Sequence, residues 1–386
     1  MTKEAIMICL IRAELCGGTV SEEVKNALSE PMCKALFELS VKHDMAHIVA
    51  QTLDKLNVLG DDATSQNFRK AAKIALYRYI QQNSVFISAC KTLEAKKIPF
   101  IPLKGALLRK FYPEPWMRTS CDIDILVKEA DLPRAVKALE QSLSYKTQTR
   151  GAHDVSLSTP ENVHLELHFS TIEDGRVRRA EQVLCHYWEN AEPISEGAYE
   201  HKVSDEMFYF YHIAHMAKHI QEGGCGVRPF LDIWILNHRL DANKLKRNAL
   251  LEEGGLLQFA SASEALSEAW FGIGQTDSLL GYYEQFVFEG GKFGTLENQV
   301  ALKRVKAGGQ LRYIFSRIFQ PYGTLKLYYP ALKKHKWLMP YYQLVRWCRL
   351  LFKGTFLRAM REVKTGAGVS EKTLSSAEDL LDELGL

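Results

Sequence analysis

Two aspartates stand two residues apart in the otherwise apolar run CDIDILV at residues 121–127. Side chains of a β-strand point alternately to the two faces of a sheet. The run therefore predicts a strand that places Cys121 and the alternate apolar residues after it in a core. Asp122 and Asp124 then share the opposite face, where two unpaired carboxylates repel each other. A divalent cation relieves that repulsion, and hard oxygen ligands suit Mg²⁺ or Mn²⁺.

The run VHLELHF at residues 163–169 alternates in the same way. Its odd-numbered residues are apolar, and His164, Glu166 and His168 stand on the other face. We expect this strand to be an antiparallel neighbour of the first, which would bring Glu166 beside the aspartates as a third carboxylate. Three carboxylates can hold two metal ions, so the two strands together predict a metal-binding cluster.

A third motif precedes both strands. Lys104 and Gly105 end the segment IPLKG, and Arg118 and Ser120 stand just before the aspartates. The order Lys-Gly, Arg-x-Ser-x-Asp-x-Asp and a later strand carboxylate resembles the DNA polymerase beta-like nucleotidyltransferase superfamily. More closely, the chain is similar to a bacterial group of uncharacterised nucleotidyltransferases over about residues 95 to 240. The similarity also takes in Tyr112-Pro113, residues 164–168 and, more loosely, His215, His219, Arg228 and Asp232.

The resemblance implies an α+β fold, with a small mixed-sheet nucleotidyltransferase core flanked by N-terminal and C-terminal helical regions. It implies a metal-dependent enzyme that moves a nucleoside monophosphate group from an NTP, expected to be ATP, to an unidentified acceptor with release of pyrophosphate. Asp122, Asp124 and Glu166 are then both the catalytic residues and the ligands of two Mg²⁺ ions. The nucleotide-binding residues that it implies are Lys104, Gly105, Arg118, Ser120, His168 and Arg228.

One position departs from the superfamily pattern, because Ala106 stands where a serine usually follows the glycine. A hydroxyl that would touch phosphate is therefore missing, and backbone amides at the helix start, Lys104 or Arg118 would have to bind the anion instead. Acidic residues are also common on surface strands, and such folds survive as inactive modules. The alternative function is therefore a nucleotide- or RNA-binding module without transfer chemistry, associated with a membrane surface.

Histidines form one stripe on a helix predicted after Ser204, at His212, His215 and His219. A spacing of four residues can place two imidazoles on one metal, but no zincin-type glutamate stands between them. Histidines packed at a domain interface or facing the nucleotide are the favoured interpretation. On the next predicted helix, Arg228 either forms an interhelical ion pair with an aspartate or reaches a phosphate.

Helix and strand signals alternate only in the middle of the chain, where further strands are predicted at residues 145–149 and 154–158. This pattern favours a small α/β module between helical segments. The predicted regions are an N-terminal helical region (1–95), the nucleotidyltransferase core (96–195), a helical domain (196–290), a basic, aromatic-rich helical region (291–365) and an acidic tail (366–386).

The sequence also predicts where the protein resides. Its eight cysteines include no Cys-x-x-Cys pair, which fits reduced thiols and gives no zinc signature. The N-terminus is not a convincing signal peptide, and no uninterrupted apolar run is long enough for a transmembrane segment. We therefore expect a cytoplasmic protein.

Charge is segregated along the chain. Residues 291–365 contain sixteen Lys or Arg and two Glu, a local balance of +14, whereas the whole chain carries +3. Aromatic residues are interleaved with these charges. The mixture suits RNA binding, contact of an amphipathic segment at residues 337–352 with an anionic membrane surface, or a plain solvated face. The region thus predicts an RNA or membrane-surface partner, with peripheral attachment in the second case.

Overall fold

The computed structural model describes residues 1–151, 153–171, 177–272, 281–329, 331–352 and 368–386. The predicted α+β fold is confirmed, because a five-stranded mixed sheet in the middle of the chain is preceded and followed by helices. Residues 353–365 of the predicted basic region lie outside the described residues.

The chain before the sheet forms helices, and polar caps determine where several of them begin. The side chains of Thr2 and Ser21 each accept a hydrogen bond from a backbone amide three residues later. Asp62 accepts from two backbone amides, so a helix of 33 residues begins directly after it. These helices are α1 (Lys3–Leu15), α2 (Glu22–Ala27), α3 (Glu30–Lys42), α4 (Ala46–Lys55) and α5 (Ala63–Ala95).

The sheet has the strand order β1-β2-β5-β4-β3. The predicted strand at residues 154–158 coincides with β4, and the one predicted at 145–149 is displaced by one residue in β3. A single-turn helix follows β1 and a longer helix follows β2. The elements are β1 (Phe100–Pro102), α6 (Gly105–Leu108), β2 (Ile123–Val127), α7 (Leu132–Leu143), β3 (Lys146–Arg150), β4 (Asp154–Ser158) and β5 (His164–His168).

The expectation that the two carboxylate-bearing strands are antiparallel was wrong, because β2 and β5 are parallel. The reason lies in the connection. Helix α7 returns the chain to the end of the sheet at which β2 begins, so β3 runs in the same direction as β2. β3 pairs antiparallel with β4 and β4 pairs antiparallel with β5, so β5 again runs in the direction of β2. Asp124 still lies opposite Glu166 in the register.

One face of β2 packs as predicted. Ile123, Ile125 and Val127 are buried in a core shared with α5 and α7. Cys121 is exposed, contrary to expectation, because the strand begins only at Ile123. The other face of β2 is also covered, and Asp124 is 3% exposed. A charge buried this deeply needs partners.

Within the described residues, the regular elements after the sheet are helices and one small hairpin. That hairpin consists of β6 (Ala191–Pro193) and β7 (His201–Val203), which pair antiparallel. The helices are α8 (Arg178–Leu184), α9 (Asp205–Glu222), α10 (Arg228–Arg239), α11 (Lys244–Glu253), α12 (Leu257–Phe271), α13 (Gly281–Gly290), α14 (Leu296–Ala307), α15 (Gln310–Ile318), α16 (Tyr322–Tyr328), α17 (Ala331–Lys334), α18 (Met339–Phe352) and α19 (Glu371–Leu384).

A large hydrophobic core joins the two ends of the chain. Leu10 of α1, Phe230 of α10 and Phe271 of α12 are fully buried in it. The predicted acidic tail contributes as well, because α19 buries Leu380 and Leu384 and packs against α14. Among the described residues, no helix combines the length and the apolar character needed to cross a bilayer.

Candidate active site

Three potential metal ligands meet where β2 and β5 lie side by side. Asp124 is opposite Glu166 in the register, and His168 follows two residues later. One ligand atom of each residue lies within 4.8 Å of the others. Nε2 of His168 is 2.7 Å from Oδ1 of Asp124 and 3.4 Å from Oε2 of Glu166. We call these three residues the carboxylate–histidine cluster.

Lys104 adds a positive charge to this cluster. Its backbone has a φ of 45°, a left-handed conformation at the turn between β1 and α6. Its ammonium group donates a hydrogen bond of 3.1 Å to Oδ1 of Asp124. Asp124 therefore accepts hydrogen bonds from Lys104 and His168 through the same oxygen, and these two groups compensate its buried negative charge.

The pKa values follow from these contacts. Burial alone would raise the pKa of Asp124, but Lys104 and His168 together hold it well below its usual range. Burial would lower the pKa of His168, but its hydrogen bonds to the two carboxylates raise it. The hydrogen bond from His168 lowers the pKa of Glu166. Both carboxylates of the cluster are therefore ionised at neutral pH.

Asp122 stands at the edge of the cluster. It is half-buried, immediately before β2, and does not belong to the group of three ligand atoms. Burial and the nearby negative charge of Asp124 both raise the pKa of Asp122. A cation beside these carboxylates would relieve the repulsion, and two or three carboxylates form a set of hard oxygen donors that suits Mg²⁺ or Mn²⁺. The residues present thus fit a divalent metal.

Arg118 is held by a buried aspartate. Its Nε and Nη2 donate to the two carboxylate oxygens of Asp232 at 3.1 and 2.9 Å, and the hydroxyl of Tyr112 donates to the same carboxylate at 2.7 Å. Asp232 is fully buried. Arg118 thereby occupies both oxygens of this carboxylate.

Gly105 and Ser120 pack behind Arg118. A Cβ atom on Gly105 would lie 3.3 Å from Nη1 of Arg118 and 3.3 Å from Cβ of Ser120. The hydroxyl of Ser120 donates to the backbone oxygen of Asp122 at 3.0 Å and accepts from Arg109 at 2.7 Å. These contacts give both residues a packing role, and their predicted contacts with a nucleotide stay predictions.

Arg228 pairs with Asp44, which sequence reasoning did not identify. Nη1 of Arg228 donates to Oδ2 of Asp44 at 2.6 Å. The ammonium of Lys292 and the hydroxyl of Thr119 donate to that same oxygen at 3.2 and 3.1 Å. Burial would raise the pKa of Asp44, but Arg228 and Lys292 lower it. One carboxylate oxygen thus ties together α10, the segment after α13 and the loop before β2.

A cavity of ≈130 Å³ lies between these elements. A smaller cavity contains His168, and Lys104, Tyr211 and His215 line both. The larger one is therefore next to the carboxylate–histidine cluster. Its lining contains four cationic residues, one carboxylate and four histidines, namely Lys104, Arg118, Arg228, Lys292, Asp232, His43, His212, His215 and His219.

The predicted histidine stripe faces this cavity. The rings of His215 and His219 pack edge to face, 4.4 Å between centroids. Burial and then the charge of Lys104 hold the pKa of His215 well below its usual range. Burial likewise lowers the pKa of His212, so these two imidazoles are neutral at neutral pH.

Sequence reasoning missed several residues of the site, namely His43, Asp44, Tyr211 and Lys292. Asp44 adopts a φ of 60° in the short link between α3 and α4, but an Asp in such a link is common. Lys292 is one of many lysines in a basic segment. No local pattern distinguishes these residues, because the cavity forms from segments that are far apart in sequence.

Comparisons with known proteins give one match. The model of a family described as "Uncharacterised nucleotidyltransferase" matches residues 30–272, a longer stretch than the resemblance at residues 95 to 240 indicated. No curated protein and no solved structure matches the chain.

Proposed function

Because the chain belongs to the uncharacterised nucleotidyltransferase family, we propose that it transfers a nucleoside monophosphate group from an NTP to an acceptor. The observation that carries this proposal is the pairing of Asp124 with Glu166 on adjacent parallel strands, with His168 and Lys104 in contact with Asp124. This arrangement concentrates carboxylates and positive charge beside a cavity.

We propose that the carboxylate–histidine cluster holds Mg²⁺ or Mn²⁺. Asp124 and Glu166 supply two carboxylates, and Asp122 is the third ligand expected from the sequence. A bound divalent cation would supply charge stabilisation at the α-phosphate and activation of the attacking hydroxyl. Lys104 keeps a fixed positive charge at the boundary between the cluster and the cavity.

The proposed transfer is a substitution at phosphorus. The oxygen of an acceptor hydroxyl forms a bond to the α-phosphorus, the bond from that phosphorus to the bridging oxygen breaks, and pyrophosphate leaves with the bonding electrons. The hydroxyl proton passes to water. Lys104 contacts Asp124 and carries positive charge, which supports its predicted place beside the phosphates of the donor.

The test compares metal binding and transfer in matched variants. Asp122→Asn is the most selective change, because the side chain of Asp122 makes no hydrogen bond or ion pair with the described residues. Mn²⁺ titration followed by electron paramagnetic resonance should show lost binding in Asp122→Asn and Asp124→Asn. Transfer of label from an α-³²P-NTP to small-molecule extracts should be lost as well. Glu129→Gln removes an exposed carboxylate just after β2 and serves as the control.

Unchanged Mn²⁺ binding and unchanged transfer in the Asp122 variant would contradict its assignment. Thermal unfolding of each variant separates a lost ligand from a lost fold. If the wild-type protein binds NTP but transfers no label under any condition, the alternative function applies, that of a nucleotide-binding module without transfer chemistry.

We also propose that the region after residue 291 contacts an anionic membrane surface. Trp337 is 76% exposed, Tyr341 58% and Leu344 56%, all on or next to α18. Leu311 and Phe315 of α15 are 84% and 63% exposed. Aromatic side chains favour the bilayer interface, and exposed aliphatic side chains gain more from lipid than from nucleic-acid bases. A membrane is therefore favoured over RNA, and attachment would be peripheral.

A further inference from the structure

His43 presents an unused hydrogen-bond acceptor to the cavity. The ring is 1% exposed, and Nε2 lies 3.3 Å from the backbone oxygen of Phe288. A carbonyl oxygen can only accept, so Nε2 carries the proton and Nδ1 has a free lone pair. Nδ1 is buried and has no hydrogen-bond partner among the described residues. Burial, followed by the charge of Lys42, lowers the pKa of His43 to about 4, so the ring is neutral.

Gly226 packs directly against this nitrogen. It lines the cavity, and a Cβ atom built on it would lie 3.3 Å from Nδ1 of His43 and 3.3 Å from Cα of Lys292. Any side chain at this position would therefore cover the acceptor. Leaving a buried polar atom unpaired is costly, which makes a ligand donor at Nδ1 favourable.

The rest of the cavity attracts an anion. Lys104, Arg118, Arg228 and Lys292 contribute four cationic side chains to its lining, and three carboxylates, those of Asp124, Asp232 and Asp44, pair with them, which leaves one positive charge in excess. Nε of Arg228 is a second buried polar atom that lacks a hydrogen-bond partner within the described ranges. Guanidinium and ammonium groups arranged in this way suit a phosphate. The ligand that fits therefore combines a phosphate with a hydroxyl or amine donor.

The cavity is small, and one of its lining residues lies beyond the residues that match the family. Its volume of ≈130 Å³ is below the ~300 Å³ at which pockets for drug-sized ligands begin, which favours a small polar molecule. Lys292 lies beyond residues 30–272, which match the family. The nucleotide donor is common to nucleotidyltransferases, whereas the acceptor distinguishes one from another. A wall supplied from outside the matched residues therefore favours the acceptor.

We propose that this cavity binds the acceptor, and that the acceptor is a small phosphate ester with a free hydroxyl or amino group. Its phosphate lies at Arg228 and Lys292, and one of its donors bonds to Nδ1 of His43. Lys104 lines this cavity and contacts Asp124, so a ligand bound here lies next to the carboxylate–histidine cluster. The inference rests on the proposed function, because only a transferase has an acceptor, but its binding can be measured without catalysis.

The experiment measures binding by calorimetry with no metal and no nucleotide present. The probes are glycerol 3-phosphate, which carries both features, and inorganic phosphate, which lacks the adjacent hydroxyls. Wild-type protein should bind glycerol 3-phosphate more tightly. In His43→Phe and in Gly226→Ala the affinity for glycerol 3-phosphate should fall about two- to tenfold, toward that for inorganic phosphate. Lys292→Met should weaken both probes about tenfold or more.

Further arms separate the possible outcomes. The exposed Lys334→Met is the charge control and should bind both probes like wild type. Asp122→Asn should keep its affinity for glycerol 3-phosphate even though it loses transfer, so the two proposals fail independently. A non-hydrolysable ATP analogue with Mg²⁺ should bind equally to wild type and to the His43 and Gly226 variants. Loss of analogue affinity in both would assign the cavity to the donor triphosphate, and absence of any probe binding to the folded wild type would also overturn the proposal.

Discussion

Asp232→Asn tests whether the ion pair behind the site has a structural role. The substitution keeps the shape of the side chain but removes the charge that faces Arg118. Burial would raise the pKa of Asp232, but the charge of Arg118 and the hydrogen bonds from Arg118 and Tyr112 lower it, so the native residue is ionised at neutral pH. Arg118 and Asp232 are 10% and 0% exposed at their side chains, and their contact is bidentate.

The expected cost follows from this burial. Removing one partner of a buried ion pair leaves an uncompensated charge and costs about 3–5 kcal/mol. The asparagine amide can accept from only one group at full strength, so Arg118 and the hydroxyl of Tyr112 compete for it. We therefore expect the free energy of unfolding to fall by at least about 3 kcal/mol.

Urea unfolding followed by tryptophan fluorescence measures the change, with the slope compared between variants. Lys25→Met is the matched control, because it breaks the ion pair of Lys25 with Glu22, whose side chains are 40% and 79% exposed, and should cost less than about 1 kcal/mol. Arg118→Met combined with Asp232→Asn should cost less than the two single changes added together. A loss below about 1 kcal/mol in Asp232→Asn would refute the reasoning, since it would mean that water or another cation compensates the pair.

Three further predictions concern other parts of the chain. Since the pKa of His43 is lowered from 6.5 to about 4, the unfolded state binds more protons than the folded state between these pH values. The free energy of unfolding should therefore fall by up to about 3 kcal/mol as the pH drops from 6.5 to 4. His43→Phe should flatten this pH dependence when stability is measured by urea titration. Gly294→Ala should lower stability by at least about 2 kcal/mol, because the φ of Gly294 is 73° and an added Cβ would overlap a backbone carbonyl. Gly323→Ala in α16 is the control, since a Cβ there meets open space, and it should be neutral or stabilising in thermal unfolding. Replacing exposed Lys334 and Lys336 with glutamine should weaken sedimentation with anionic liposomes at low salt and leave NTP affinity unchanged. If the variant sediments like wild type, the basic region is a plain solvated face, and if it loses only RNA binding, RNA is the favoured partner.

Local pattern was enough to predict the elements that carry the carboxylates. The alternation around Ile123 and Ile125 and around Leu165 and Leu167 correctly predicted two strands with these apolar residues in a core. Residues 154–158 were predicted as a strand with the bounds of β4. Such predictions succeed because the period of side-chain direction is a property of the backbone over a few residues.

The partners of the charged residues could not be predicted in the same way. Nothing near Asp232 in sequence indicates that it pairs with Arg118 rather than with Arg228, four residues away. Periodicity places Arg228 and Asp232 on one helix face, but both side chains reach residues more than a hundred positions earlier. The energy of a buried ion pair depends on which segments exclude water around it, and that is decided by the packing of α10 against the rest of the fold.

By itself, the sequence determined the strands, the carboxylates that they present and the class of fold. The tertiary structure alone decided that β2 and β5 run parallel, that Lys104 compensates Asp124, and that His43 and Lys292 line the cavity. The division has a physical cause. Strand and helix signals arise from contacts a few residues apart, whereas a site arises where distant segments bury polar atoms together and must satisfy one another's charges and hydrogen bonds.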